Sequence, residues 1–177
     1  ERFLPPICRG ETKMATGISE PHAGSDVASM RTTLEPDADG WVLTGEKTWV
    51  SAFEDSESAV VWAKLPDGGI GSAIVPLDAT GIEVITESTN MVGHTQTQFV
   101  MDDVHVPEEH LLITERDRWK TQLAHLNWER VIIAAWTHGI TRCAIEKAIE
   151  YAGDREQFGQ PVGEFQGMRW KIADMVT

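Results

Sequence analysis

Thr16-Gly17-Ile18-Ser19-Glu20-Pro21-His22-Ala23-Gly24-Ser25-Asp26 and, further on, Gly45-Glu46-Lys47-Thr48-Trp49-Val50-Ser51 decide how the chain is read. The first piece reads as a strand running into a turn. Pro21 cannot donate to a ladder, so the strand ends there. Gly24 lets the backbone approach a partner closely, and Ser25 and Asp26 add a hydroxyl and a carboxylate beside it. Backbone N–H groups and small hydroxyls in such a turn suit a phosphate or another anionic oxygen. The second piece sets Trp49 and Ser51 on one side of a strand, because side chains alternate with period two. A broad π face beside a hydroxyl suits a flat heteroaromatic ring with polar edge atoms. The plainer alternative is a half-buried sheet with a core tryptophan and a surface turn.

Strand signals continue around these two pieces. Residues 1–11 read as a linker, extended at Leu4-Pro5-Pro6 and flexible at Gly10. Strands are expected over 12–19, 30–34 and 41–51, with Pro36-Asp37-Ala38-Asp39-Gly40 as a hairpin turn. Glu54-Asp55-Ser56-Glu57-Ser58 reads as an acidic loop. Further strands are expected at 59–63, 70–75, 81–85 and 96–101, and residues 102–107 close the region. Short strands at regular spacing argue a β-barrel or sandwich.

From Trp119 the period changes. Leu123, Leu126, Ile133, Ile140 and Ala144 fall at helical spacing, and no proline interrupts before Pro161. A long helix is therefore expected to about Glu156, broken at Phe158-Gly159-Gln160-Pro161-Val162-Gly163. A second helix starts near Glu164, with Phe165, Met168, Ile172 and Met175 as its apolar stripe. The fold class is α+β: an antiparallel β-barrel or sandwich domain over 1–118, then the first long helical hairpin of an all-α bundle over 119–177.

Composition narrows the classes of function. The 177 residues suffice for a domain or a domain and a half, and a hydrophobic content of 41% is ordinary for a globular chain. A net charge of −13 with no basic run argues against nucleic acid. No apolar run reaches membrane-spanning length and no signal-peptide pattern opens the chain, so no membrane insertion is expected. Cys8 and Cys143 fit no metal or redox spacing and read as reduced small hydrophobes, which suits a cytoplasmic setting. The six histidines form no ligand set with Cys or acids, so no metal is expected. The chain opens without Met and stops at Asp174-Met175-Val176-Thr177 inside an amphipathic pattern, which reads as a fragment.

Together the two pieces resemble the acyl-CoA dehydrogenase family of flavoproteins. From Gly17 to Ser29 the chain follows the family's first signature: small, aliphatic, Ser/Thr, Glu, two free, small, Gly, Ser/Thr, Asp, two free, small. That pattern is far more specific than a lone glycine motif. The resemblance covers essentially the whole chain, and the chain covers the middle of the family. It implies FAD as cofactor, held by Thr16, Ile18, Ser19, Gly24 and Ser25, with Ser25 also touching the acyl-CoA. It implies that Trp49 packs its indole against the isoalloxazine, with Val50 and Ser51 beside it and the Ser51 hydroxyl at the flavin N5 edge. Arg155-Glu156-Gln157-Phe158-Gly159 and Phe165-Gln166 resemble the family's Arg-X-Thr/Gln-Phe-Gly and downstream Gln. The resemblance implies that Arg155, Gln157, Phe158, Phe165 and Gln166 reach the FAD of a neighbouring subunit, in a homodimer or homotetramer. Read on its own residues, this stretch is a charged helix end and a Gly/Pro turn.

The reaction implied by the resemblance takes an α-proton from an acyl thioester and sends a β-hydride to flavin N5. Glu129 is the candidate base. On a helix it shares a face with Leu126, Ile132, Ile133 and Trp136, and desolvation there raises a carboxylate toward the range a base needs. Most members place the glutamate further along, in a C-terminal loop. A subset, including isovaleryl-CoA and long-chain enzymes, places it on this helix before an arginine, as Trp128-Glu129-Arg130 does. A surface acid paired within one helical turn is the alternative. Arg130 matches the family's arginine near the CoA, and Asn127 stands where an aspartate commonly contacts the CoA moiety. Asn90-Met91-Val92-Gly93-His94-Thr95 departs from the family's arginine-bearing run. An electron-transfer flavoprotein is the implied electron acceptor, and the mitochondrial matrix the implied setting in a eukaryote. Acyl-CoA oxidases, nitroalkane oxidases and flavin monooxygenases share the fold, so they remain open, as does a remnant without turnover.

Overall fold

The computed structural model describes residues 2–112 and 118–177. It forms two compact units, 1–122 and 123–177. The expected boundary at 118 adjoins residues 113–117, which lie outside the described residues, as does Glu1 of the expected linker.

The linker expectation needs correcting. Leu4–Cys8 form a short helix, α1. Its prolines stand in the first turn, where no intrahelical N–H bond is lost. Gly10, at φ +70°, ends the turn.

Seven strands follow in one sheet: β1 (Met14–Gly17), β2 (Thr33–Asp37), β3 (Gly40–Ser51), β4 (Ser58–Lys64), β5 (Ile70–Pro76), β6 (Ile82–Thr89) and β7 (Thr95–Val106). The order is β1-β4-β2-β3-β7-β6, with β5 on β4. Most pairs are antiparallel as expected, but β1 and β2 both run parallel to β4, so the sheet is mixed. The hairpin between β2 and β3 is tighter than its composition suggested. Pro36 pairs with Trp41 and Asp37 with Gly40, leaving Ala38 and Asp39 as the turn. The pieces 96–101 and 102–107 belong to one strand, β7, which ends at Val106 before Pro107.

The core lies on one face. Leu34, Leu43, Val61, Val75, Phe99 and Met101 are among its buried members, each contributing about 1.5–3 kcal/mol on burial. Two register shifts reset the alternation. Along β7, Thr97, Phe99 and Met101 point inward, then Asp103 at φ +49° takes up one residue, and Val104 and Val106 point inward. Along β3, Lys47 points inward and Thr48–Trp49 form the extra step, with Trp49 at φ +59°, before Val50 returns to the core.

The second unit is helical. It holds most of α2 (Arg118–Asp154), a two-strand hairpin of β8 (Glu156–Gln157) and β9 (Gln160–Pro161), and α3 (Gln166–Val176). The sequence predicts only a break where the structure forms this hairpin. Phe158 at φ +52° and Gly159 at φ +80° make the paired left-handed turn that a two-residue hairpin needs. A 3-10 turn at Val162–Glu164 delays the start of α3 to Gln166. No helix among the described residues is long and apolar enough to cross a membrane.

Candidate functional site

The signature turn and the Trp49 strand are adjacent in space. The Thr48 amide donates to the Ser19 carbonyl at 2.9 Å. Beyond Ser19 the chain folds back through Pro21 and His22, with Glu20 and Ala23 exchanging backbone bonds of 2.9 and 3.1 Å. Thr16, Gly24, Ser25 and Asp26 are exposed, and Ile18 and Ser19 half-buried. A Cβ built on Gly24 meets nothing within 4 Å, so the space there is open to a ligand.

Trp49 is 62% exposed. An indole in the left-handed backbone region is strained, because its Cβ crowds the carbonyl oxygen. The bulge turns it outward together with Ser51, as the alternation reading expected. Val50 behaves differently. Its side chain is 1% exposed and belongs to the core, so only its backbone can serve a ligand.

Two residues of the quoted pieces carry a role that sequence reasoning missed. Lys47 is 0% exposed and Glu20 only 5%. The Lys47 ammonium donates to Glu20 Oε1 at 2.8 Å and to the Ile18 carbonyl at 3.0 Å. Glu20 Oε1 also accepts from the Thr32 amide at 3.0 Å and the Thr32 hydroxyl at 2.5 Å. Glu20 Oε2 accepts from the Arg31 amide at 2.6 Å, and His22 Nε2 stands 3.3 Å away. Burial pushes the Glu20 carboxyl up, but the bonds from Lys47, Thr32 and Arg31 overcome it and hold it at about 2. Burial lowers the Lys47 ammonium, and Glu20 opposes that. The available signal was a lysine at an inward position of a strand, two residues after Gly45 and four after Leu43. Gly17 leaves room for the Lys47 side chain, since a Cβ there would sit a tight 3.2 Å from Lys47 Cγ.

In the helical unit, Asn127, Glu129 and Arg130 lie on α2 and are exposed. The Arg130 guanidinium donates to Asn127 Oδ1 at 2.6 Å, so the two expected CoA contacts are brought together. Around Glu129 the helix displays Trp128, Ile132, Ile133 and Trp136, each at least half exposed. At the hairpin, Phe158 is 95% exposed and meets Phe165 edge-on, ring centroids 6.3 Å apart. Gln157 turns back on the Glu156 carbonyl at 2.6 Å. Arg155 and Gln166 are exposed on either side of that hairpin.

The side chains of the sheet unit fit a flavin: an indole face, a neighbouring hydroxyl and an open small-residue turn. Comparison with known proteins points the same way. Residues 15–104 match the middle domain of acyl-CoA dehydrogenase and residues 119–177 its C-terminal domain. The mitochondrial isovaleryl-CoA dehydrogenase of Arabidopsis thaliana is 35% identical over 100% of the chain and 45% of its own length. Subunit CarC of the caffeyl-CoA reductase–Etf complex of Acetobacterium woodii is 33% identical over 100% of the chain and 48% of its own. The structure of a glutaryl-CoA dehydrogenase from Mycobacterium smegmatis in complex with FADH2 superposes with a TM-score of 0.90 at 30% identity, over 99% of the chain and 46% of that protein. The chain thus spans about half the length of the curated relatives it matches. On the two family matches, which together take in most of its residues, the chain belongs to the acyl-CoA dehydrogenase family.

Proposed function

We propose that the protein containing this chain is an FAD-dependent acyl-CoA dehydrogenase that forms an α,β double bond in an acyl-CoA thioester. The observation that carries this reading is the outward, strained Trp49 with Ser51, hydrogen-bonded through Thr48 to the signature turn. Bound FAD supplies the two-electron oxidant for the β-carbon. Trp49 gives the ring system a flat apolar face, and the Ser51 hydroxyl bonds its polar edge. Thr16, Ile18, Ser19, Gly24 and Ser25 line the approach, with Ser25 shared by cofactor and thioester. Arg155 suits a pyrophosphate because its guanidinium donates two parallel bonds. Phe158, Gln157, Phe165 and Gln166 serve beside it, on the cofactor of a second copy in a homodimer or homotetramer, a role supported by the bare Phe158 ring.

Glu129 takes the α-proton. Its place on α2 directly before Arg130, among the exposed side chains of Trp128, Ile132, Ile133 and Trp136, supports that role. Arg130, steadied by Asn127, orders the CoA portion. An electron-transfer flavoprotein accepts the electrons, a reading supported by the relative named as a subunit of an Etf complex. The cytoplasm, or the mitochondrial matrix in a eukaryote, is the setting. An anaerobic flavin spectrum of the intact protein tests the proposal, before and after adding short, branched and long acyl-CoAs. Loss of the yellow absorbance is expected. A flavin that stays oxidised with every thioester would overturn the dehydrogenase assignment.

A further inference from the structure

We propose that the buried Glu20–Lys47 pair is a positioning device, fixing the distance between the signature turn and the strand that displays Trp49; the proposal rests on the flavin reading of those two segments. The geometry supplies the argument. Glu20 directly follows Ile18 and Ser19, and Lys47 precedes Trp49 by two residues. The pair joins the two segments at two points, ammonium to carboxylate at 2.8 Å and ammonium to the Ile18 carbonyl at 3.0 Å, beside a backbone bond from the Thr48 amide to the Ser19 carbonyl at 2.9 Å. The same carboxylate ties in Arg31 and Thr32, so the far end of the turn is held by the same group.

An apolar pair would fill the same space without those directions. Buried ion pairs are often replaceable by apolar residues without loss of stability, so their retention calls for another reason. Here that reason is directional: dispersion contacts let the turn slide, whereas four donors on one carboxylate do not. The lowered pKa of Glu20 agrees with a carboxylate that stays ionised and bonded at neutral pH.

The test uses the intact protein, wild type and three variants: Lys47→Met, Glu20→Gln, and both together. Melting temperature and FAD affinity are measured on each, the latter well below melting. The double variant carries no buried charge, so its melting temperature is expected to recover relative to both single variants. Its FAD affinity is expected to stay at least tenfold below wild type, because the tie to Ile18 is gone. Wild-type affinity in a double variant whose melting temperature has recovered would overturn the positioning role and leave a structural pair. Amide hydrogen exchange of the flavin-free protein gives an independent arm. In Lys47→Met the Thr48 amide is expected to speed up at least tenfold more than the amides of Phe99–Val104 in β7, which report the global loss of stability. A Thr48 amide that speeds up no more than those of β7 would overturn the proposal. A wild-type protein that retains no FAD would sink the flavin reading, and the exchange arm would still decide whether the pair positions the two segments.

Discussion

The sheet unit and the helical unit hold their candidate site residues in opposite ways. In the sheet unit, the turn and the Trp49 strand are pinned by groups from their own core: Glu20, Lys47 and Thr32 are all buried. In the helical unit, Ala152 is the single buried residue among those described from 123 onward. Its candidate chemistry stands on an exposed helix among Trp128, Ile132, Ile133 and Trp136. The sheet therefore orients its site by internal contacts. The helix offers a carboxylate on a face of exposed apolar side chains.

Glu129 gives the sharpest way to break this contrast. Glu129→Gln in the intact protein is expected to slow flavin bleaching by acyl-CoA by about 10²–10⁴-fold, the usual worth of a general base, with FAD still bound. Stopped-flow reduction under anaerobic conditions measures it. Unchanged bleaching would take the base away from α2 and leave the helical unit a scaffold.

The next largest effect concerns two ion pairs of equal length. Lys47–Glu20 and Arg142–Glu146 both measure 2.8 Å, yet the first is buried and the second lies open on α2. Lys47→Met strands a buried carboxylate and is expected to cost about 3–5 kcal/mol of stability by denaturant titration. Arg142→Ala breaks an exposed pair at i,i+4 and is expected to leave the denaturation midpoint unchanged. Equal losses would mean that burial does not distinguish the two units.

Acid sharpens the same point. The Glu20 carboxyl lies at about 2 in the fold, against 4.5 for the free group. A depressed carboxyl stabilises the fold above its unfolded value and loses that contribution as pH falls through the folded one. Stability is therefore expected to drop by about 3 kcal/mol from this group between pH 4.5 and 2. In Glu20→Gln that portion of the acid loss is expected to vanish. A parallel acid profile in wild type and Glu20→Gln would show that the group carries no such linkage.

Much of this was legible beforehand, for reasons that separate cleanly. Period-two runs gave away β3, β4 and β5, because a half-buried or buried strand must alternate or be apolar throughout. Trp49 and Ser51 were placed on one side correctly, although the bulge that achieves it was invisible. A positive φ at a tryptophan has no sequence signature, since tertiary pairing with β7 imposes it. The parallel pairing of β1 and β2 with β4 was also hidden, because partner direction depends on the path between strands and not on the strands themselves. Glu20 and Lys47 lie far apart in sequence, and nothing local says that a charged residue in a strand has found its opposite. In the helical unit, periodicity located α2 closely, and the surprise was the paired turn at Phe158–Gly159.

The smallest expected effect distinguishes strain held for function from strain that is incidental. Trp49 sits at φ +59° with most of its side chain outside the core, so little packing is lost on its removal. Glycine enters that backbone region without the penalty of about 1–2 kcal/mol that a Cβ incurs. Trp49→Gly also loosens the unfolded chain, which offsets part of the relief by up to about 1 kcal/mol. The fold is therefore expected to be unchanged or stabilised by about 1 kcal/mol, while FAD affinity falls by about 1–3 kcal/mol with loss of the stacking face. Trp49→Ala keeps the strain and loses the face, so it is expected to show the affinity loss without the gain. Thermal melts and flavin fluorescence on the two variants separate the terms. A Trp49→Gly protein that is less stable than Trp49→Ala would mean the bulge is held by its neighbours at no cost. The exposed indole would then be a by-product of the register shift, and not a feature the sheet bears strain to display.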